Sequence, residues 1–142
     1  MNASTRGRMT KDGIRIYEQG DFAGMATAGK LAAEILDSLA QHVVVGQTTG
    51  AIDKMIEDQV NAAGATSATI GYKGYKHASC ISVNHVVCHG IPGDKRLKDG
   101  DIVNIDVTVI VDGWFGDTSR MYVAGKLGRK AERLIEVTHD AL

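Results

Sequence analysis

One stretch of this chain leaves little freedom of fold: a β-prone run, a turn dipeptide, and a second β-prone run. Ile102-Val-Asn-Ile-Asp-Val-Thr-Val-Ile-Val111 is followed by Asp112-Gly113 and then by Trp114-Phe-Gly-Asp-Thr-Ser-Arg-Met-Tyr122. Asp-Gly between such runs favours a type I′ hairpin, because both central residues of that turn need positive φ. With a two-residue loop, Val111 faces Trp114, Thr108 faces Asp117 and Asp106 faces Ser119. Alternation then puts Asn104, Asp106 and Thr108 on the same face as Asp117 and Ser119. Asp106 and Asp117 become diagonal neighbours, roughly 7–8 Å apart at the backbone. Two carboxylates that close raise each other's pKa or recruit a cation. A mid-strand acid in so apolar a run is either exposed on a solvated face or paired, and the hairpin alone leaves both readings open. Asp94, Asp99, Asp101 and Asp112 stand at strand ends and turns, where an aspartate is ordinarily solvated.

The rest of the chain sets this hairpin in a globular context. It has 142 residues, 44% hydrophobic and 23% charged, enough for one domain with its own core. The reading is an N-terminal arm over 1–20 and a single domain over 21–142. The net charge of -1 and the lack of a basic stripe argue against direct binding of nucleic acid. No apolar run approaches the ~20 residues of a membrane span. Met1 to Met9 lacks the apolar centre of a signal peptide and reads as a short flexible arm. Cys80 and Cys88 are not spaced as a CxxC pair, and a reduced, cytoplasmic setting fits them best.

Apolar residues at Ala28, Leu31, Ala32, Ile35, Leu36 and Leu39 predict a helix from Asp21 to about Gln41, closed by Val43 to Gly46. Thr48 or Thr49 caps a second helix with Ile52, Met55, Ile56 and Val60 on its apolar face, ending near Gly64. A glycine- and tyrosine-rich loop, Gly71 to Tyr75, precedes a strand at about Cys80 to Asn84 and another around Val86 to Cys88. Pro92 to Lys98 is a polar connector. From Arg129 the pattern is helical again, and it reaches Leu142 without a stop signal, so the chain is expected to be part of a longer protein.

A second candidate cluster surrounds His89, in Val86-Val-Cys-His-Gly-Ile-Pro92. Gly90 and Pro92 suggest a fixed turn on which an imidazole can be aimed, although a lone His beside apolar residues is more often structural. His42, His77, His85 and His139 read as surface residues. Tyr72, Tyr75 and Cys80 either line a small apolar pocket or are ordinary loop and core packing.

Taken in order, Gly71-Tyr72 with Gly74-Tyr75, Cys80-Ile-Ser-Val-Asn84, Cys88-His-Gly-Ile-Pro92, Leu97 to Thr108 and Gly116-Asp-Thr-Ser119 closely resemble the type I methionine aminopeptidase family, from about Met9 to Leu142. The resemblance implies an α/β (α+β) chain of the pita-bread fold, and of it the N-terminal half: helices packed on an antiparallel sheet with a ligand-bearing hairpin. It implies metal-dependent removal of N-terminal methionine from peptides and nascent chains, at a dinuclear site with a bridging water, in the cytoplasm and near the ribosome. The cofactors implied are two divalent ions, Mn, Fe or Co, and a monovalent cation. Asp106 would chelate one metal and Asp117 would bridge both. His89 would be the catalytic contact near the scissile bond, and Tyr72, Tyr75 and Cys80 would join it in binding the methionine. Asn84 would lie near the monovalent cation, held partly by backbone carbonyls. The family takes a further His and two Glu ligands from its second half, and none can be assigned in this sequence. Lys73 and Lys76 depart from the family's wording at the pocket rim. The alternatives are a non-catalytic pita-bread binding module, or an inactive half that self-associates or is completed by a second chain.

Overall fold

Gly116 and Gly90 mark places where this fold brings backbones into contact, and the computed structural model, which describes residues 6–142, shows what meets there. A short antiparallel ribbon, β1 (Arg8–Met9) and β2 (Arg15–Ile16), leads into helix α1 (Gln19–Leu39). Helix α2 (Thr49–Ala62) follows, then strands β3 (Thr66–Ser67), β4 (Ser79–Val83), β5 (Asp101–Val111) and β6 (Trp114–Ala124), and finally helix α3 (Arg129–Asp140). Of the expected arm, Met1 to Thr5 lie outside the described residues. Arg6 and Tyr17 pack on the hairpin tip: the Arg6 guanidinium lies 4.5 Å from the centre of the Trp114 ring, and Tyr17 stacks obliquely on the same ring at 5.0 Å.

Strand β5 is the axis of the sheet. One edge pairs along its whole length with β6, while the other is shared end to end by β4 and β3, all antiparallel. The Asp112-Gly113 turn has φ of 49° and 78°, as a type I′ turn requires. The register is the expected one, with Val111 opposite Trp114, Thr108 opposite Asp117 and Asp106 opposite Ser119.

Helices α1 and α2 cover one face of the sheet. Ala32, Ile35, Leu36 and Leu39 of α1 and Ile52, Ile56 and Val60 of α2 pack on Val103, Ile105, Val107 and Val109 of β5. Each fully buried Ile, Leu or Val there contributes about 1.5–3 kcal/mol of transfer free energy. At Gly116 an added Cβ would stand 2.2 Å from the Ala28 carbonyl oxygen, so the hairpin lies directly on the backbone of α1. No residue of α3 is buried.

Helix α1 begins at Gln19, two residues before the expected Asp21, because the Asp21 carboxylate reaches back to accept the Glu18 N–H at 2.9 Å. Thr48 is the cap of α2, its hydroxyl accepting the Ala51 N–H at 3.2 Å. No strand forms around Val86 to Cys88. Asn84 turns the chain in the left-handed region, φ 56°, the Val86 N–H donating to the Val83 oxygen at 3.2 Å, and the segment returns beside β4, where the Ile81 N–H donates to the Gly90 oxygen at 2.8 Å.

Two polar readings need correction. Asp101 is not a solvated strand-end acid. It is 8% exposed, accepting the Lys98 N–H and the Asn84 amide at 2.9 and 2.8 Å. His77 is half-buried rather than a free surface residue, and its Nδ1 lies 3.1 Å from the Asp53 carboxylate.

Candidate functional site

The face of the sheet away from the helices carries the candidate site, because the same alternation that buries Val103 to Val109 turns Asn104, Asp106 and Thr108 the other way. Cys80 stands opposite Asp106 on β4, and Ser119 opposite it on β6. One row therefore reads Cys80, Asp106, Ser119, and the next places Thr108 beside Asp117. The Thr108 hydroxyl donates to Asp117 Oδ1 at 2.9 Å. Burial, and after it the neighbouring Asp117 charge, pushes the Asp106 carboxyl above its ordinary value, while His89 pulls the other way. Negative charge at Asp106 is thus held at a cost that a bound cation would relieve.

His89 is brought to this row by glycine. Gly90 lies so close to β4 that an added Cβ would meet the Ile81 oxygen at 2.2 Å. Its N–H donates to the Ser82 hydroxyl at 3.0 Å. His89 itself is left-handed, φ 54°, a conformation that fixes its direction and that His tolerates better than most residues.

The opposite wall comes from the loop before β4. Tyr72 lies exposed on a single 3-10 turn, Tyr72–Gly74, that includes Lys73 at φ 48°. The Tyr75 hydroxyl donates to the Ser79 oxygen at 2.9 Å. Burial, with help from neighbouring Cys80, holds that hydroxyl protonated well above the usual phenol range. Burial also raises the Cys80 thiol, more than its bond to Tyr75 lowers it. Cys80 is therefore a thiol at neutral pH, suited to lining a pocket and unsuited to acting as a nucleophile.

Tyr72, Tyr75, Cys80, His89, Asp106 and Asp117 line one open groove of about 730 Å³. Asn84 is not among its lining residues. Its amide oxygen accepts the Ile102 N–H at 3.1 Å and its amide nitrogen serves Asp101, so its side chain closes the β4–β5 end of the sheet. Sequence reasoning did not single out Thr69, Ile91 and Phe115, which also line the groove. Phe115 could have been found from the hairpin, since it shares the strand face of Asp117.

Oxygen donors of this kind suit a hard divalent cation, and two adjacent carboxylates fill part of its coordination shell. Among the described residues no three His, Cys, Asp or Glu side chains come together as a metal site. The donor chemistry of Asp106 and Asp117 fits part of a metal centre. Among the described residues, no helix is long and apolar enough to cross a membrane.

Comparison with known proteins agrees with this geometry. The model of metallopeptidase family M24 matches residues 23–142. The chain is 53% identical over 129 residues to a methionine aminopeptidase of Rickettsia prowazekii, covering 91% of this chain and 50% of that protein. The crystal structure of methionine aminopeptidase from Rickettsia prowazekii superposes with a TM-score of 0.88, covering 90% of this chain and 52% of the other. A prolidase from Pyrococcus horikoshii, 19% identical, shares the fold at a TM-score of 0.75 over 87% of this chain and 34% of its own. The chain spans about half the length of the curated relatives it matches.

Proposed function

The chain belongs to metallopeptidase family M24, and on that footing we propose that it serves the metal-dependent release of methionine from the N-termini of peptides and nascent chains. The observation that carries the reading is the adjacency of Asp106 and Asp117 at the floor of a groove walled by Tyr72, Tyr75 and Cys80 and faced by His89. Asp106 and Asp117 would hold two divalent ions, of the Mn, Fe or Co kind, with further ligands supplied by polypeptide outside these residues. When bound, such ions polarise a peptide carbonyl and make a hydrolytic nucleophile available at neutral pH.

The chain's own groups do the remaining work. Tyr72, Tyr75 and Cys80 offer aromatic and sulfur surface to an unbranched thioether side chain, a favourable pairing for methionine. Thr108 fixes the rotamer of Asp117. His89, held from the other side by the Gly90 approach, contacts the peptide beside the scissile bond. The turn at Asn84 is proposed as the place of a monovalent cation bound by backbone carbonyls. The two unpaired thiols, Cys80 and Cys88, support a reducing cytoplasmic setting.

A second reading rests on a separate observation. Tyr72, Val87, Ile91 and Phe115 are exposed around the groove and its loop, as are Leu134 and Val137 on α3. We propose that the chain by itself associates through this apolar surface, with a second copy or with the polypeptide that completes the site.

The test is release of methionine from a Met-Ala peptide with added Mn or Co, beside Mn binding by calorimetry, for the parent chain and Asp106→Ala. Release and binding that both depend on Asp106 support the reading. Mn binding lost in Asp106→Ala, without release, supports the partial site. Mn binding that is absent, or unchanged in Asp106→Ala, overturns it.

A further inference from the structure

Asp53 is an acid placed almost wholly inside, 7% exposed, on the first turns of α2. Its Oδ1 accepts the Ser79 N–H at 2.9 Å and the Ser79 hydroxyl at 2.7 Å, and its Oδ2 lies 3.1 Å from His77 Nδ1. Neither residue it grips lines the groove, but both stand directly behind its wall. Ser79 immediately precedes Cys80, and its oxygen receives the Tyr75 hydroxyl at 2.9 Å. His77 meets the Tyr75 ring edge to face, with 5.5 Å between centres. Tyr75 is therefore held twice by groups that Asp53 itself holds.

The same turn of α2 grips the facing wall. The Thr49 hydroxyl donates to the Gly93 oxygen at 3.1 Å and accepts the Gly93 N–H at 3.0 Å. The Gly50 N–H donates to the same oxygen at 2.8 Å. Gly93 follows Ile91, a lining residue, by two positions. One turn of helix thus clasps the Tyr75–Cys80 wall through Asp53 and the His89–Ile91 wall through Thr49.

We propose that Asp53 is the positioning residue of this groove: through Ser79 and His77 it fixes the Tyr75–Cys80 wall against which, on the reading above, the substrate's first side chain lies. A buried carboxylate with three donors is a stiff anchor, because charge-assisted bonds are strong and an unpaired partner inside is costly. Asp53 touches no substrate; it sets the width of the slot that does.

The test reads the wall directly. In a Cys88→Ser background, where Cys80 is the remaining thiol, alkylation of Cys80 by N-ethylmaleimide is timed for the parent, Asp53→Asn and His77→Ala, with thermal melting to establish folding. Folded Asp53→Asn is expected to react about tenfold faster, the opening expected from loss of one buried charge-assisted bond, and His77→Ala is expected to be faster to a smaller degree. Tyr122→Phe, which removes the hydroxyl bond to the Leu36 oxygen on the far face of the sheet, should lower the melting temperature and leave the Cys80 rate unchanged. The Asp53 charge also raises the Cys80 thiol, so Asp53→Asn alkylates faster even with the wall in place; His77→Ala, which keeps that charge, decides. An unchanged Cys80 rate in His77→Ala, or an equal rise in Tyr122→Phe, overturns the proposal. The probe needs neither metal nor peptide, so failure of the aminopeptidase reading would leave its result untouched.

Discussion

Thr108 shows how much one hydroxyl decides at the candidate centre. Asp117 is exposed, and without the bond from Thr108 Oγ1 at 2.9 Å its carboxylate would sample several rotamers. Partners of this kind orient metal ligands, and their loss typically lowers affinity by about 10–100-fold. Thr108→Val should therefore weaken Mn binding to that extent by calorimetry, with Thr108→Ser close to the parent. A Val variant that binds Mn as well as the parent would remove Thr108 from the centre. Asp101 gives a pH dependence away from the metal ligands. Burial alone would raise its carboxyl, but the Lys98 N–H, the Asn84 amide and nearby Lys95 and Lys98 hold it below the ordinary value. A carboxyl depressed in the folded state stabilises the fold above its unfolded pKa of about 3.9 and loses that contribution as pH falls through the lower folded value. The melting temperature should therefore drop on acidification below about pH 4, and drop less steeply in Asp101→Asn; parallel curves would refute the role. The sequence signalled Asp53 without its being read: it stands three residues before Ile56 and seven before Val60, on the flank of the buried stripe of α2.

The elements meet at glycines. Gly116 lets β6 lie on α1, and a methyl there would meet the Ala28 oxygen at 2.2 Å and its carbon at 2.3 Å, backbone atoms that cannot turn aside. Overpacking of this kind costs about 1–3 kcal/mol. Gly116→Ala should lower the denaturant midpoint accordingly. It should also weaken Mn binding, because Asp117 is the next residue on the displaced strand. Gly113→Ala acts differently: its φ of 78° lies in the left-handed region, where an L side chain costs about 1–2 kcal/mol, and its site lies at the tip. It should lower stability with little effect on Mn binding. If the two variants lose Mn affinity equally, the hairpin acts as one loose unit rather than as a strand seated on α1. The hairpin was legible because its turn chemistry fixes the register, and the register fixes which residues face each other. The stretch after Asn84 was not, since Val86-Val-Cys88 has strand-like composition while the reversal at Asn84 and the seating of Gly90 depend on β4.

At the scale of the whole molecule the sheet has one covered face and one open one. The open side exposes Phe115 at 57% and Ile91 at 71%, apolar surface of the kind that marks an interaction site. Light scattering at micromolar concentrations should show a mass that rises with concentration, and Phe115→Ser with Ile91→Ser should reduce the rise; a constant monomer mass for the parent would refute it. The sequence by itself determined the hairpin, its register, the shared face of Asp106 and Asp117 and the apolar stripes of α1 and α2. Period and turn chemistry are local, and each can be read within a few residues. Only the tertiary structure decided which loops reach the two carboxylates. His89 arrives because Gly90 can touch the backbone of β4, Cys80 because β4 pairs with β5 in the register that sets it opposite Asp106, and Tyr75 because its hydroxyl and ring meet Ser79 and His77, which Asp53 of α2 holds. Those meetings join residues far apart in the chain through the packing of α2 on the sheet, and no local period encodes them.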